Sequence, residues 1–148
     1  MVIPLVRRPE RLDRIVGECL DEAATDLAAR RVAVRRQIDP EIPDYPIDRA
    51  LFKEAIAIMM GEAIGVVNPA RGLRVTVKAG RNALMIAVKA PGPGVDDARR
   101  EALFTGDPDP GTLARARAII ASHEGVIWAN GISGLGITYY VTLPVRRA

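Results

Sequence analysis

The sequence predicts an α/β protein, a two-layer α/β sandwich whose helices lie on one face of a mixed, mostly antiparallel sheet. Three observations carry this reading. The stretch Leu51 to Val67 is apolar around nearly its whole circumference, as a helix at the centre of a domain must be. Leu73, Val75 and Val77, then Leu84, Ile86 and Val88, alternate on either side of Gly80-Arg81-Asn82, the pattern of a β-hairpin with a short glycine-containing loop. Further segments with helical apolar spacing stand before and after these two. The 148 residues, with 49% hydrophobic and 26% charged content, suit one soluble globular domain.

From Pro9 to Arg30, the residues Leu12, Ile15, Val16, Cys19, Leu20, Ala23 and Leu27 recur at intervals of three and four, which predicts an amphipathic helix with Pro9 and Glu10 in its first turn. Val32, Val34 and Ile38 then predict a short strand ended by Asp39-Pro40, and Pro43 and Pro46 mark a loop. Asp48 is a good N-cap for the central helix. After the hairpin comes the glycine- and proline-rich APGPGVD, a short helix candidate from Asp96 to Phe104, and the loop TGDPDPG. Thr112 to Ser122 predicts a further helix with Leu113, Ala116, Ile119 and Ile120 on one face. Gly125 is placed to take a positive φ just past its end. Strands at Val126 to Asn130 and Ile137 to Leu143, flanking the turn GISGLG, complete the chain.

No apolar run approaches the roughly 20 residues of a membrane span, and the start MVIPLVRRPERLD lacks a signal pattern, so the expectation is a cytoplasmic protein with no membrane partner. A lone cysteine, Cys19, has no partner for a disulfide or thiolate metal site and reads as a small buried hydrophobe. The net charge is +3, and arginines come in pairs at 7/8, 30/31, 35/36, 99/100 and 146/147. Pairs spread along the chain make no single stripe, and aromatics are only 4%, so solvated surface is expected rather than a nucleic-acid interface.

The order of elements and three local strings resemble the catalytic and ATP-binding (HATPase) domain of two-component sensor histidine kinases, of the Bergerat-fold group. RRVAVRRQIDPEIPDYPIDRALFKEAI is similar to that family's entry strand and loop into its long helix. ASHEGVIWAN resembles its "ahGG-I-w" segment, and GLGITYYVTLP its closing "G-T-F-x-F-x-LP" strand. The resemblance spans nearly all of the chain, residues 1 to 148, as a single such domain; the helical hairpin that bears the family's phosphoacceptor is not expected within it.

Residue by residue, the resemblance implies a degenerate nucleotide site. The family's long helix carries an asparagine-rich box, N-L-L-x-N-A-x-K, whose amides hold Mg²⁺. On IMMGEAIG it places Ile58 at the first asparagine, Glu62 at the second and Gly65 at the lysine. Only Glu62 retains an oxygen of the kind Mg²⁺ needs, and it equally suits an arginine partner. The D-x-G-x-G box, whose aspartate accepts from adenine, corresponds to Ala90 through Gly94. Gly92 and Gly94 survive there, either for close approach to a ligand or for a tight turn, but alanine accepts no hydrogen bond. The second glycine box, which offers amides to phosphates at a helix N-terminus, is reduced to Gly111, Thr112 and Leu113, and Thr112 also suits a plain N-cap. His123 matches a non-phosphorylated histidine of the family near a helix C-terminus, where carbonyls and dipole favour an imidazole.

With three contact sets eroded together, the expectation is a pseudo-ATPase needing no cofactor, which acts as a regulatory or interaction module. The partner would be a histidine kinase, a phosphotransfer protein, a response regulator or a second copy of itself. Ile58, Ala90, Pro91 and Leu113 are expected to close the former cleft. The alternative is a catalytic domain that still binds ATP and Mg²⁺ and phosphorylates a histidine on a partner chain.

Overall fold

In the computed structural model the described residues are 3–94, 97–132 and 134–145. Five strands form the main sheet: β2 (Val34–Ile38), β4 (Leu73–Ala79), β5 (Ala83–Pro91), β7 (Gly136–Pro144) and β6 (Val126–Ile132), in the order β2-β4-β5-β7-β6. Only β2 and β4 run parallel; the other pairings are antiparallel. Helices α1 (Leu12–Glu22), α3 (Arg49–Val66) and α5 (Leu113–Ser122) supply most of the helical part of the core, while α2 (Ala24–Ala29) and α4 (Asp97–Ala102) are single short segments. The expected two-layer α/β sandwich is therefore the fold observed.

The central helix starts as its sequence dictates, with the Asp48 carboxylate accepting the Leu51 N–H at 3.2 Å. It buries Phe52, Ala55, Ile56, Met59, Met60, Ala63 and Ile64, and touches α1, α5, β5 and β7. The sheet meets it with the alternate set Val75, Val77, Leu84, Ile86, Val88, Tyr139, Val141 and Leu143, all essentially inaccessible. Ion pairs of Arg49 with Glu10 and Glu18, and of Lys53 with Glu22, link α3 to α1 and the segment before it at the surface.

Three sequence expectations are corrected. The first helix is not continuous from Pro9 to Arg30: Arg8–Glu10 is a strand, β1, and the helix breaks at Ala23 between α1 and α2. The Pro43 to Pro46 loop contains a partner strand, β3 (Tyr45–Ile47), which pairs antiparallel with β1 and sets Pro9 opposite Pro46. A two-stranded ribbon has open edges, so prolines lacking N–H groups are tolerated in it. The positive φ after α5 is carried by Glu124 (64°), not Gly125. Glu124 and Gly125 close the helix by donating to the carbonyls of Ala121 and Ile120. Gly125 is needed for space instead, since a Cβ there would stand 2.6 Å from the Thr142 carbonyl oxygen.

Asp96, the expected first residue of the α4 region, and the pair Arg146 and Arg147 lie outside the described residues. Cys19 is buried as expected, its thiol pushed up to about 11, mainly by burial. Among the described residues no helix is long and apolar enough to cross a membrane.

Candidate functional site

Helices α3 and α5 run antiparallel over the sheet, and a groove of about 650 Å³ opens between the outer face of α3 and the segment leading into α5. Its α3 wall carries Glu54, Ile58, Gly61 and Glu62; the opposite wall is Pro110, Gly111 and Arg115. The helical period sets this wall, because residues four apart share a face. Glu54, Ile58 and Glu62 are therefore stacked on successive turns, and a rise of 1.5 Å per residue puts the two carboxylates about 12 Å apart along the axis.

The groove is bridged. Arg115 donates from Nε to Glu54 Oε2 at 2.7 Å and from a terminal nitrogen to Oε1 at 3.3 Å, a two-point contact between the first turn of α5 and the second turn of α3. Hydrogen bonding to Glu54 is the main cause of the raised pKa of Arg115. Glu62 makes no ion pair with any described residue, so of the two carboxylates it is Glu54 that took an arginine. The Glu62 charge reaches inward instead: the phenol of buried Tyr139 is pushed up to about 12, first by burial and second by Glu62.

Two of the five sequence-predicted site residues, Glu62 and Gly111, line this groove together. Thr112, next to Gly111, is the N-cap of α5, its hydroxyl accepting the Arg115 N–H at 3.1 Å. Gly92 and Gly94 are not among the groove's lining residues. A Cβ on Gly92 would meet the Val66 carbonyl oxygen at 2.8 Å and the Asn68 nitrogen at 3.1 Å, so its bare backbone is used by the protein's own packing. Asn68 N–H donates to the Pro91 carbonyl at 2.8 Å, tying this loop to the end of α3. Gly94 takes a φ of 69°, the conformation glycine favours in a turn.

Closure of the cleft by apolar groups is only partial. Ala90 and Leu113 are buried, whereas Ile58 and Pro91 remain half-exposed and Ile58 forms part of the groove wall. Among the described residues no group of three His, Cys, Asp or Glu side chains converges as a metal site would.

His123 sits at the far end of the same helix pair, fully buried against Phe52, ring centroids 5.7 Å apart. The Asp48 N–H donates to Nε2 at 3.0 Å, which fixes the proton on Nδ1, and Nδ1 donates to the Ile119 carbonyl at 2.9 Å. The carbonyl contact expected near a helix end is present, but burial outweighs it and the imidazole pKa is lowered. Sequence reasoning missed the Glu54–Arg115 bridge, whose partners are 61 positions apart with no motif to join them.

No family model matches the chain. It is 26% identical to the adaptive-response sensory kinase SasA of Synechocystis, an alignment that covers 95% of the chain and 39% of that kinase. It is likewise 26% identical to SasA of Rippkaea orientalis, over 88% of the chain and 36% of that protein. The chain thus spans about two fifths of the length of the curated relatives it matches. Among solved structures, the catalytic domain of the histidine kinase ThkA superposes with a TM-score of 0.85 at 17% identity, covering 95% of this chain and 96% of that one. Full-length ShkA in complex with AMPPNP gives 0.86 at 18% identity, over 100% of this chain and 33% of that one. The fold is that of the histidine-kinase catalytic domain of ThkA, and the resemblance seen in the sequence strings is met by both comparisons.

Proposed function

We propose that the chain is a degenerate histidine-kinase ATP-binding-type domain that serves two-component signalling as a non-catalytic regulatory or interaction module. The observation that carries this reading is the groove between α3 and α5, where the residues present do not suit Mg-ATP. Mg²⁺ requires several hard oxygens in near-octahedral array. Glu54 is engaged by Arg115, Ile58 stands between the carboxylates, and Glu62 alone is left to offer oxygen from this helix. A triphosphate entering the groove would face two carboxylates and one already paired arginine. Ala90 presents no acceptor for an adenine amino group and is itself buried. Gly92, which would need to approach a ligand, is packed against the carbonyl of Val66.

The partners this reading favours are a histidine kinase, a phosphotransfer protein, a response regulator or a second copy of the chain, met in the cytoplasm. One observation supports the alternative, a domain that still binds nucleotide and phosphorylates a histidine on another chain. A groove of about 650 Å³, with Gly111 and the N-terminus of α5 on one wall, is roomy enough to hold a ligand.

Melting the protein with and without millimolar Mg-ATP separates the two. A ligand at one hundred times its dissociation constant stabilises a fold by about 2.7 kcal/mol, several degrees for a domain of this size. The expected result is no shift. A rise of several degrees would establish nucleotide binding and sink the non-catalytic reading.

A further inference from the structure

The face of the sheet turned away from the helices carries an arrangement that the linear sequence conceals. Register places Arg35 opposite Arg74, Arg74 opposite Lys89, Lys89 opposite Thr138 and Thr138 opposite Asn130, one continuous row across all five strands. Its first three members are cations on adjacent strands. All three are exposed, and none forms an ion pair with a described residue. Every one of the 18 acidic residues lies outside the five strands, so the sheet supplies no counter-charge of its own. Like charges directly opposite one another destabilise a sheet. The row bounds a trough of about 830 Å³, whose rim adds Arg71 and the exposed Leu135.

One row along the same face stands an apolar shelf. Trp128 and Tyr140 are register partners and stack with ring centroids 5.0 Å apart and planes 15° from parallel, Trp128 being 37% exposed. A cation strip beside an aromatic shelf fits an anionic chain with apolar groups at intervals. Single-stranded nucleic acid is the poorer match. Strands lie about 4.8 Å apart, so three of them span only about 10 Å, and phosphate tracking needs a longer charged path. The two rings also occupy each other's inner faces, which leaves no slot for a base.

We infer that this open sheet face docks an acidic polypeptide segment of a partner protein, with carboxylates on Arg35, Arg74 and Lys89 and an apolar side chain on the Trp128–Tyr140 shelf. The inference rests on the interaction-module reading and names the chemistry of its partner. It does not depend on whether the α3–α5 groove is empty, so the Mg-ATP melt and the experiment below can fail separately.

Trp128 is the single tryptophan of the chain, so tryptophan emission comes from this shelf, and the charge-reversal variants below tie a shift to the cation row. The probe is a synthetic peptide of alternating Glu and Leu residues, titrated at low salt, beside its Lys-Leu counterpart and an oligothymidylate. The Glu-Leu peptide is expected to shift Trp128 emission saturably, with an affinity that falls as salt rises. Reversing Arg74 and Lys89 together to Glu should weaken it at least about tenfold. Arg14→Glu, an exposed position on α1 beyond the other face of the sheet, should weaken it less than about twofold. Arg35→Glu on the edge strand repeats the test with the central strands untouched, and melting temperatures confirm that each variant folds. No change in Trp128 emission, equal losses from Arg14→Glu and the sheet variants, or tighter binding of oligothymidylate than of the peptide would each overturn the proposal.

Discussion

Replacing His123 with alanine tests the account of the helix pair most directly. The ring fills a fully buried site against Phe52, accepts from Asp48 N–H and donates to the Ile119 carbonyl. Truncation leaves a buried donor and a buried acceptor short of a partner, about 1–3 kcal/mol each, and opens a cavity. Because Ile119 O still accepts from a backbone N–H at 3.3 Å, the lower part of that range applies, and the sum is about 4 kcal/mol. For a domain of this length that is about 10 °C or more in Tm. A pH arm sharpens the test, since His123 is the only histidine of the chain. Burial lowers its pKa in the folded state below the ordinary 6.5, so the unfolded chain takes up the proton first. Its contribution is fully present above pH 6.5, declines as pH falls below that value, and levels off beneath the folded-state pKa. Urea unfolding of the parent should therefore show stability falling from pH 7 towards pH 5.5, and His123→Ala should lose that portion of the dependence. A loss of less than about 3 °C at neutral pH, or identical pH slopes in the two proteins, would refute the neutral, doubly bonded imidazole.

Three further outcomes follow from the packing. Ala90→Asp, which rebuilds the family's adenine acceptor, should destabilise by about 3 kcal/mol or more, because Ala90 is 1% exposed and a carboxylate there is desolvated; calorimetry should find no gain in ATP affinity. Gly92→Ala should cost about 1–3 kcal/mol in chemical denaturation, since backbone atoms 2.8 and 3.1 Å from the new Cβ must shift, and a cost near zero would mean that the loop is free of α3. Cys19 should resist iodoacetamide at pH 8 in the folded protein and react once urea unfolds it, as its thiol lies at about 11; prompt labelling of the native protein would show that α1 opens readily.

The elements legible in the sequence were those whose signals are local. Asp48 announced α3, Thr112 announced α5, and alternation about Gly80 to Asn82 announced β4 and β5, because caps, periods and turns act within a few residues. The β1–β3 ribbon escaped because each strand has three residues and contains a proline, so it exists only by virtue of the other. The break at Ala23 carries no glycine or proline to mark it. At the candidate site, the residue types at positions 58, 62, 90 and 111 could be read off, but which of them share a groove could not. The paired arginines could not be assigned to faces from the sequence, because neighbours in a strand point to opposite sides: Arg36 lies on the helix side and pairs with Asp21 at the surface, while Arg35 joins a row of residues far away in sequence. Its neighbours in that row, Arg74 and Lys89, belong to none of the arginine pairs, and pairing register brings the three together.

The bridge between Glu54 and Arg115 and the bond from Asp48 to His123 lie at opposite ends of α5, and together they pin that helix to α3 along its length. The segment before α1 adds to the second end, with Val6 donating to Asp48 and Ile3 to Ser122. Helix α5 is thus a fixed jaw. The part of the groove beside Glu62 lies past the Arg115 pin, where the opposing wall is Pro110 and Gly111 rather than helix. Gly106 and Gly111, with φ of 100° and 82°, bound the loop that leads into this wall. On that side the shape of the groove is set by the torsions of a loop, whereas on the other it is set by the packing of α5 against α3, so one side of the groove is fixed by the core and the other by the chain's local conformation.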